Sequence, residues 1–156
     1  MNKFLNFFTA ILFLSTAILM SCGPGGDDTT GVDPVVELQN AQGAILATGT
    51  ATASSITVDG VPNEAWAAFT LTFTFNAGTK GGNFSTTGTP EGADLVWPAS
   101  GTWTFDGDGT TSITRSDNVT MDVSANATSM TLKFNIVDPN GRILSLTGDW
   151  VFNTNF

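Results

Sequence analysis

The sequence predicts an all-β domain, an antiparallel up-and-down meander of about eight strands closed as a barrel, with a β-sandwich as the alternative packing. Three observations carry this. Apolar residues recur with period two, most plainly in Phe69-Thr70-Leu71-Thr72-Phe73-Thr74-Phe75, which puts Phe69, Leu71, Phe73 and Phe75 on one face and the threonines on the other. Charged residues make up only 12% of the chain, so its polar surface must come from Thr, Ser, Asn and Gly, residue types that suit pleated strands and turns. Turn signals also fall at short intervals, too close together for the crossover helices that a parallel sheet needs.

The first segment lies outside this domain. Met1 to Lys3 opens with a positive charge, and Phe4 to Met20 is an apolar run, short for a spanning helix and fitting a secretory leader over residues 1–21. The run ends in Leu19-Met20-Ser21-Cys22, with the only cysteine of the chain at its edge. This resembles the lipobox of bacterial lipoproteins: an aliphatic residue three before the Cys, a small residue just before it, then the Cys. The resemblance implies that Cys22 takes a diacylglyceryl group, that the leader is cut before it, and that the new amino terminus is acylated. Two or three acyl chains, at about 0.8 kcal/mol per buried CH₂, hold a protein on a bilayer where one does not. Met20 is bulkier than the usual residue at its place.

Residues 22–43 follow as a tether, Gly-rich and acidic at first. Gly23 after the Cys, in place of Asp, favours the outer membrane, on its periplasmic or its surface face. Asp27 and Asp28 loosely resemble surface-export signals, and Asp28-Thr29-Thr30 a short O-glycosylation motif. Asp33 and Pro34 are set to cap and open a short helix to about Ala41, with Val35, Leu38 and Ala41 on one side and Gly43 closing it.

The β domain occupies residues 44–156. Strands are expected near 47–58, 69–75, 82–87, 101–105, 110–115, 119–123 and 130–136, with a closing segment that carries Leu144, Leu146, Trp150 and Phe152 in phase. Asp106-Gly107-Asp108-Gly109 and residues 138–142 supply hairpin turns, and Gly148 a bulge or tight packing point.

The segments SITVDGV, FTLTFTF, VWPASGTWTF, SITRSDNVTMDV, TLKF and GRILSLTGDWVF together resemble a Bacteroidota-type family of outer-membrane lipoproteins with a lipocalin-like β-barrel, from about residue 44 to the end. That resemblance implies a barrel and an outer-membrane address, and no particular activity. The chain departs from lipocalins in one respect. Their first strand opens with Gly-x-Trp, whereas this one reads Gly49-Thr50-Ala51, and Gly101-Thr102-Trp103 sits in mid-chain.

Composition narrows the function. A net charge of −9 without a basic stripe disfavours nucleic acid. The chain has no His, which removes the usual general base and the commonest zinc ligand, and one Cys forms no thiolate cluster. Asp106, Asp108 and Asp117 have the first, third and twelfth spacing of an EF-hand loop, but Thr111 stands where that loop needs Gly, and the segment reads as strand, turn, strand. Trp103 and Trp150 share the phase of core neighbours. Trp66, in Asn63-Glu64-Ala65-Trp66, and Trp97, in the long connection over residues 87–100, are candidate ligand-binding aromatics or lids over the core. Arg115 shares the parity of Ile113, so it points inward at a barrel end, binds a ligand carboxylate or pairs with Asp117. Glu91 and Asp94 are the only carboxylates of the same connection that invite a glycosidase reading.

The expected function is therefore a non-enzymatic, lipid-anchored outer-membrane protein with no cofactor, whose β domain binds a small molecule, a glycan or an envelope protein. The alternatives are a structural subunit of an envelope complex and an envelope glycan hydrolase.

Overall fold

The structure, a computed structural model, describes residues 31–137 and 146–156. The leader, Cys22, the first part of the tether, the 138–142 turn and Leu144 lie outside the described residues. Among the described residues helix α1 (Pro34–Leu46) precedes nine strands: β1 (Thr50–Val58), β2 (Val61–Pro62), β3 (Thr70–Phe73), β4 (Gly81–Thr87), β5 (Ser100–Phe105), β6 (Ser112–Arg115), β7 (Thr120–Ala125), β8 (Ser129–Ile136) and β9 (Gly148–Asn155). The sheet order is β2-β1-β3-β4-β5-β6-β7-β8-β9 with every pairing antiparallel, and β1 also pairs with β9. Eight strands thus close into the expected barrel, and β2 adds a two-residue edge to β1.

Period-two alternation builds the wall. In β3, Leu71 and Phe73 are buried while Thr70 and Thr72 face outward, and Phe73 sits opposite Phe84 of β4. Leu132, Phe134 and Ile136 of β8 face inward beside Phe152 and Trp150 of β9. Outside, threonines pair across strands through their hydroxyls: Thr50 with Thr72 at 2.9 Å, Thr70 with Thr87 at 2.8 Å, and Thr114 with Thr120 at 2.8 Å. A wall faced with Thr, Ser and Asn is a water-facing surface, the opposite of the apolar outer band of a membrane-spanning barrel.

Closure between β1 and β9 is irregular, with a register shift between Ala53 and Ser55. Gly148, at the start of β9, holds φ at +131°, and a Cβ there would meet the Asp59 carboxylate. Asp59 Oδ1 accepts from Asp149 N at 2.8 Å, tying the β1–β2 turn to β9. The expected packing point is therefore where a turn carboxylate caps the start of the closing strand.

The helix departs from the sequence expectation in length and in orientation. Asp33 caps it, its side chain accepting from Val35 N at 2.9 Å, and Pro34 opens it as predicted. It then runs past Gly43 to Leu46 and buries Gln39, Gly43 and Leu46, leaving Leu38 57% exposed. The reason is the surface it covers. At this end of the barrel the β3–β4 and β5–β6 connections present bare backbone groups that need polar partners. Gln39 Nε2 donates to Gly107 O at 3.1 Å and Gly109 O at 3.2 Å, and Asn40 Oδ1 accepts from Gly78 N at 3.1 Å. Gly43 rests on the Phe75 ring, which lies where its Cβ would go. The packed body therefore begins with α1, and Gly43 is a contact point rather than a terminator.

Gly43 gives a test in which two effects oppose each other. In a free helix, Gly→Ala gains about 1 kcal/mol from propensity, but here the added methyl overlaps Phe75 and overpacking costs typically 1–3 kcal/mol. Gly43→Ala is expected to lower the urea midpoint at unchanged m-value, and Gly43→Val to lower it further; a raised midpoint for Gly43→Ala would mean that α1 does not seat on Phe75.

Candidate functional site

Because the strands alternate in direction, the barrel has two ends with different furniture. One carries α1. The other gathers the 88–99 connection, the β6–β7 turn and the end of β8, and it is here that Trp97 and Arg115 meet, with Asp94 exposed above them. Residues 90–97 are not an open loop but two successive turns, a first over 90–93 with Gly92 at φ +76°, where Ala93 N bonds Pro90 O at 3.0 Å, and then a helical turn over 93–97, where Val96 N bonds Ala93 O at 2.9 Å and Trp97 N bonds Ala93 O at 3.1 Å. Ala93, Val96 and Trp97, spaced i, i+3 and i+4, are all buried. Two periods therefore meet in one connection, and the helical one drives Trp97 down the barrel axis.

Trp97 is fully buried. Its ring lies 5.7 Å from Phe69, 6.0 Å from Phe84, 5.5 Å from Phe134 and 5.5 Å from Phe152. Its indole Nε1 is the one buried side-chain nitrogen or oxygen without a hydrogen-bond partner among the described residues. Trp66 is equally enclosed, on a single turn over Glu64–Trp66 that Asn63 caps, its Oδ1 accepting from Ala65 N. Its ring meets Phe69, Trp150 and Phe152 edge-on at 5.1–5.4 Å. Neither tryptophan offers a flat face to solvent. A small depression of about 170 Å³ lies over Trp66, between the β1 bulge at Ser54 and Ser55 and the Asn63-Glu64 turn.

Arg115 points inward, as its parity implied, and its side chain is wholly buried. Its Nε and Nη2 take both oxygens of Asp117 at 3.0 and 2.6 Å, and Nη1 donates to Val96 O at 2.9 Å. The guanidinium lies 4.6 Å above the centre of the Trp97 ring and 5.6 Å from that of Phe134. The ion-pair and core readings of Arg115 are thus met by the same side chain. It ties the helical turn at Val96 to the β6–β7 turn at Asp117.

Between those two turns and the end of β8 runs an open groove of about 540 Å³. Leu95, Pro98, Val119 and Val137 give it apolar walls, and Asp94, Asp117, Asn118 and Asn135 its polar rim. Asn118 holds φ at +66°, and its N–H bonds Arg115 O at 2.9 Å, which closes the turn. Glu91 and Asp94 are exposed on the outside of the helical turn.

The carboxylates with EF-hand spacing go to separate places. Asp106 accepts from the Ser112 and Thr114 hydroxyls, Asp108 pairs with Lys80 at 3.2 Å, and Asp117 holds Arg115. Among the described residues no three acidic or thiol groups converge as a metal site. No protein family, curated protein or solved structure matches this chain.

Sequence parity found Arg115, but nothing in the strand pattern pointed to Val96 O as its third partner. The signal that was there to find Trp97's place is the i, i+3, i+4 spacing of Ala93, Val96 and Trp97.

Burial of the ion pair is lopsided, with Arg115 at 0% side-chain exposure and Asp117 at 37%, so its two members fail differently. Asp117→Ala strands a cation in the core and is expected to cost about 3 kcal/mol or more. Arg115→Met leaves a carboxylate free to rehydrate and is expected to cost clearly less. Chemical denaturation of the two variants measures the order, and equal losses would mean that the guanidinium reaches water.

Proposed function

We propose that this chain is a lipid-anchored outer-membrane protein, held at Cys22, whose non-enzymatic barrel works through its outer surface on an envelope partner rather than through an internal ligand cup. The observation that carries this reading is the filled interior. Eight strands enclose a space that either packs solid with side chains or holds one small ligand. Here Trp66, Trp97, Trp103 and Trp150 occupy it together with Phe69, Phe84 and Phe152, all less than 3% exposed. Aromatic side chains of this size leave the barrel axis to protein atoms, and recognition falls to the rim and the wall.

The lipobox at Leu19–Cys22 and the Gly- and Asp-rich segment after it support the anchor. The hydroxyl-faced wall supports a barrel that stands in water beside a bilayer rather than in it. With Trp66 and Trp97 enclosed, a glycan would find no tryptophan platform at either place, so a protein partner suits this surface better.

Two measurements on the full chain test the reading. Intact mass spectrometry and membrane fractionation are expected to show an acylated Cys22 in the membrane fraction, and Cys22→Ala is expected to appear unacylated. Titration with 1-anilinonaphthalene-8-sulfonate is expected to show no saturable one-to-one site with tryptophan quenching. An unmodified Cys22 would overturn the anchor, and a stoichiometric internal probe site would overturn the filled barrel.

A further inference from the structure

We infer that the groove between the 94–98 turn, the 117–120 turn and the end of β8 is a docking surface for a partner protein that presents a Lys or Arg side chain beside an apolar one. The inference rests on the reading of the barrel as a surface binder and assigns that surface a place and a chemistry.

The walls of the groove are apolar where most of the exterior is not. Among the described residues only five large hydrophobic side chains are exposed, and two of them, Leu95 and Val137, are here, Val137 at 72%. Val119 and Pro98, half-buried, continue the same surface. A strip of this kind on a barrel otherwise faced with Thr and Ser is a place where association would remove apolar area from water.

Its charge selects the occupant. Asp94 and Asp117 are the charged residues among those described around the groove, and no basic side chain is among them. Asp117 is matched by Arg115 beneath it, whereas Asp94 makes no ion pair among the described residues. The unmatched charge at the rim is therefore negative, on a chain of net charge −9 that attracts cations at long range. A Lys or Arg suits this geometry because its aliphatic stem lies on apolar wall while its head reaches a carboxylate. The side-chain carbonyls of Asn118 and Asn135 add acceptors on the same rim.

The groove is also held in shape before anything binds. A buried cation is expensive to keep, and Arg115 keeps its place by bonding both walls at once, Val96 O on one side and Asp117 on the other, over the Trp97 ring. Walls fixed in this way do not have to be ordered on association. The acidic rim argues for a basic protein side chain rather than an anionic lipid surface.

The test is fluorescence anisotropy with the full chain in non-ionic detergent and a labelled Leu-Lys-Leu-Lys-Leu amide, compared with its Leu-Glu-Leu-Glu-Leu counterpart. The basic peptide is expected to bind and the acidic one not. Asp94→Asn and Val137→Ser, both at exposed positions, are each expected to weaken binding by about three- to fivefold, while Glu37→Gln on α1 leaves it unchanged. Absence of binding by the basic peptide, or an equal loss in Glu37→Gln, would overturn the assignment. So would full competition by hexylamine at the peptide's own potency, which would make the groove a small-amine site. Failure here with Cys22 acylated and the interior closed to the probe removes the groove alone and leaves the surface-binding reading in place.

Discussion

The packing of Trp97 against Phe69, Phe84, Phe134 and Phe152, under the Arg115 guanidinium, is the contact on which the rest of this structure depends. A closed eight-stranded barrel has an inside, and that inside must be filled by protein or left for a ligand. Strands alone supply side chains from the wall inward. Here two connections add side chains to the interior, Trp97 from the 93–97 turn and Trp66 from the turn before β3. Edge-on aromatic contacts then join strands that are not neighbours in the sheet: Trp97 links Phe84 of β4 to Phe134 of β8 and Phe152 of β9. The barrel becomes a solid body.

Arg115 belongs to the same constraint. Inward parity in β6 carries a charge into an aromatic core, where an isolated guanidinium would be costly. It is tolerated because Asp117, two residues on, turns back to accept from its Nε–Nη2 edge with both carboxylate oxygens, because Val96 supplies a carbonyl to Nη1, and because the Trp97 face meets its cation. One side chain thus bonds both walls of the groove and packs on the ring that fills the core beneath it.

Much of this architecture was legible in the sequence, because period-two alternation is enforced residue by residue in a half-buried strand. Leu71 and Phe73 of the Phe69–Phe75 run, the Trp103 and Phe105 pair, and the Met130-to-Ile136 row each occupy the wall as their phase requires, although the strand itself spans only Thr70–Phe73. What stayed hidden belongs to tertiary demand. The helix face was misjudged because Val35 and Leu38 are more apolar than Gln39, yet the hairpin tips needed hydrogen-bond donors, and Gln39 supplies them. The 88–99 connection looked like an open loop because its buried residues follow a helical period over a single turn, too short to stand out beside the strands. Trp66 and Trp97 were found as the unusual aromatics, but exposure cannot be read from spacing once a connection folds back into the barrel.

All four tryptophans are interior groups, with Trp66 and Trp103 1% exposed and Trp97 and Trp150 fully buried. Acrylamide quenching of the native protein's fluorescence is the measurement that reads this burial. Blue-shifted emission with one uniformly low quenching constant is expected, rising only on unfolding. A readily quenched fraction in the native state would show a tryptophan open to solvent and contradict the filled barrel.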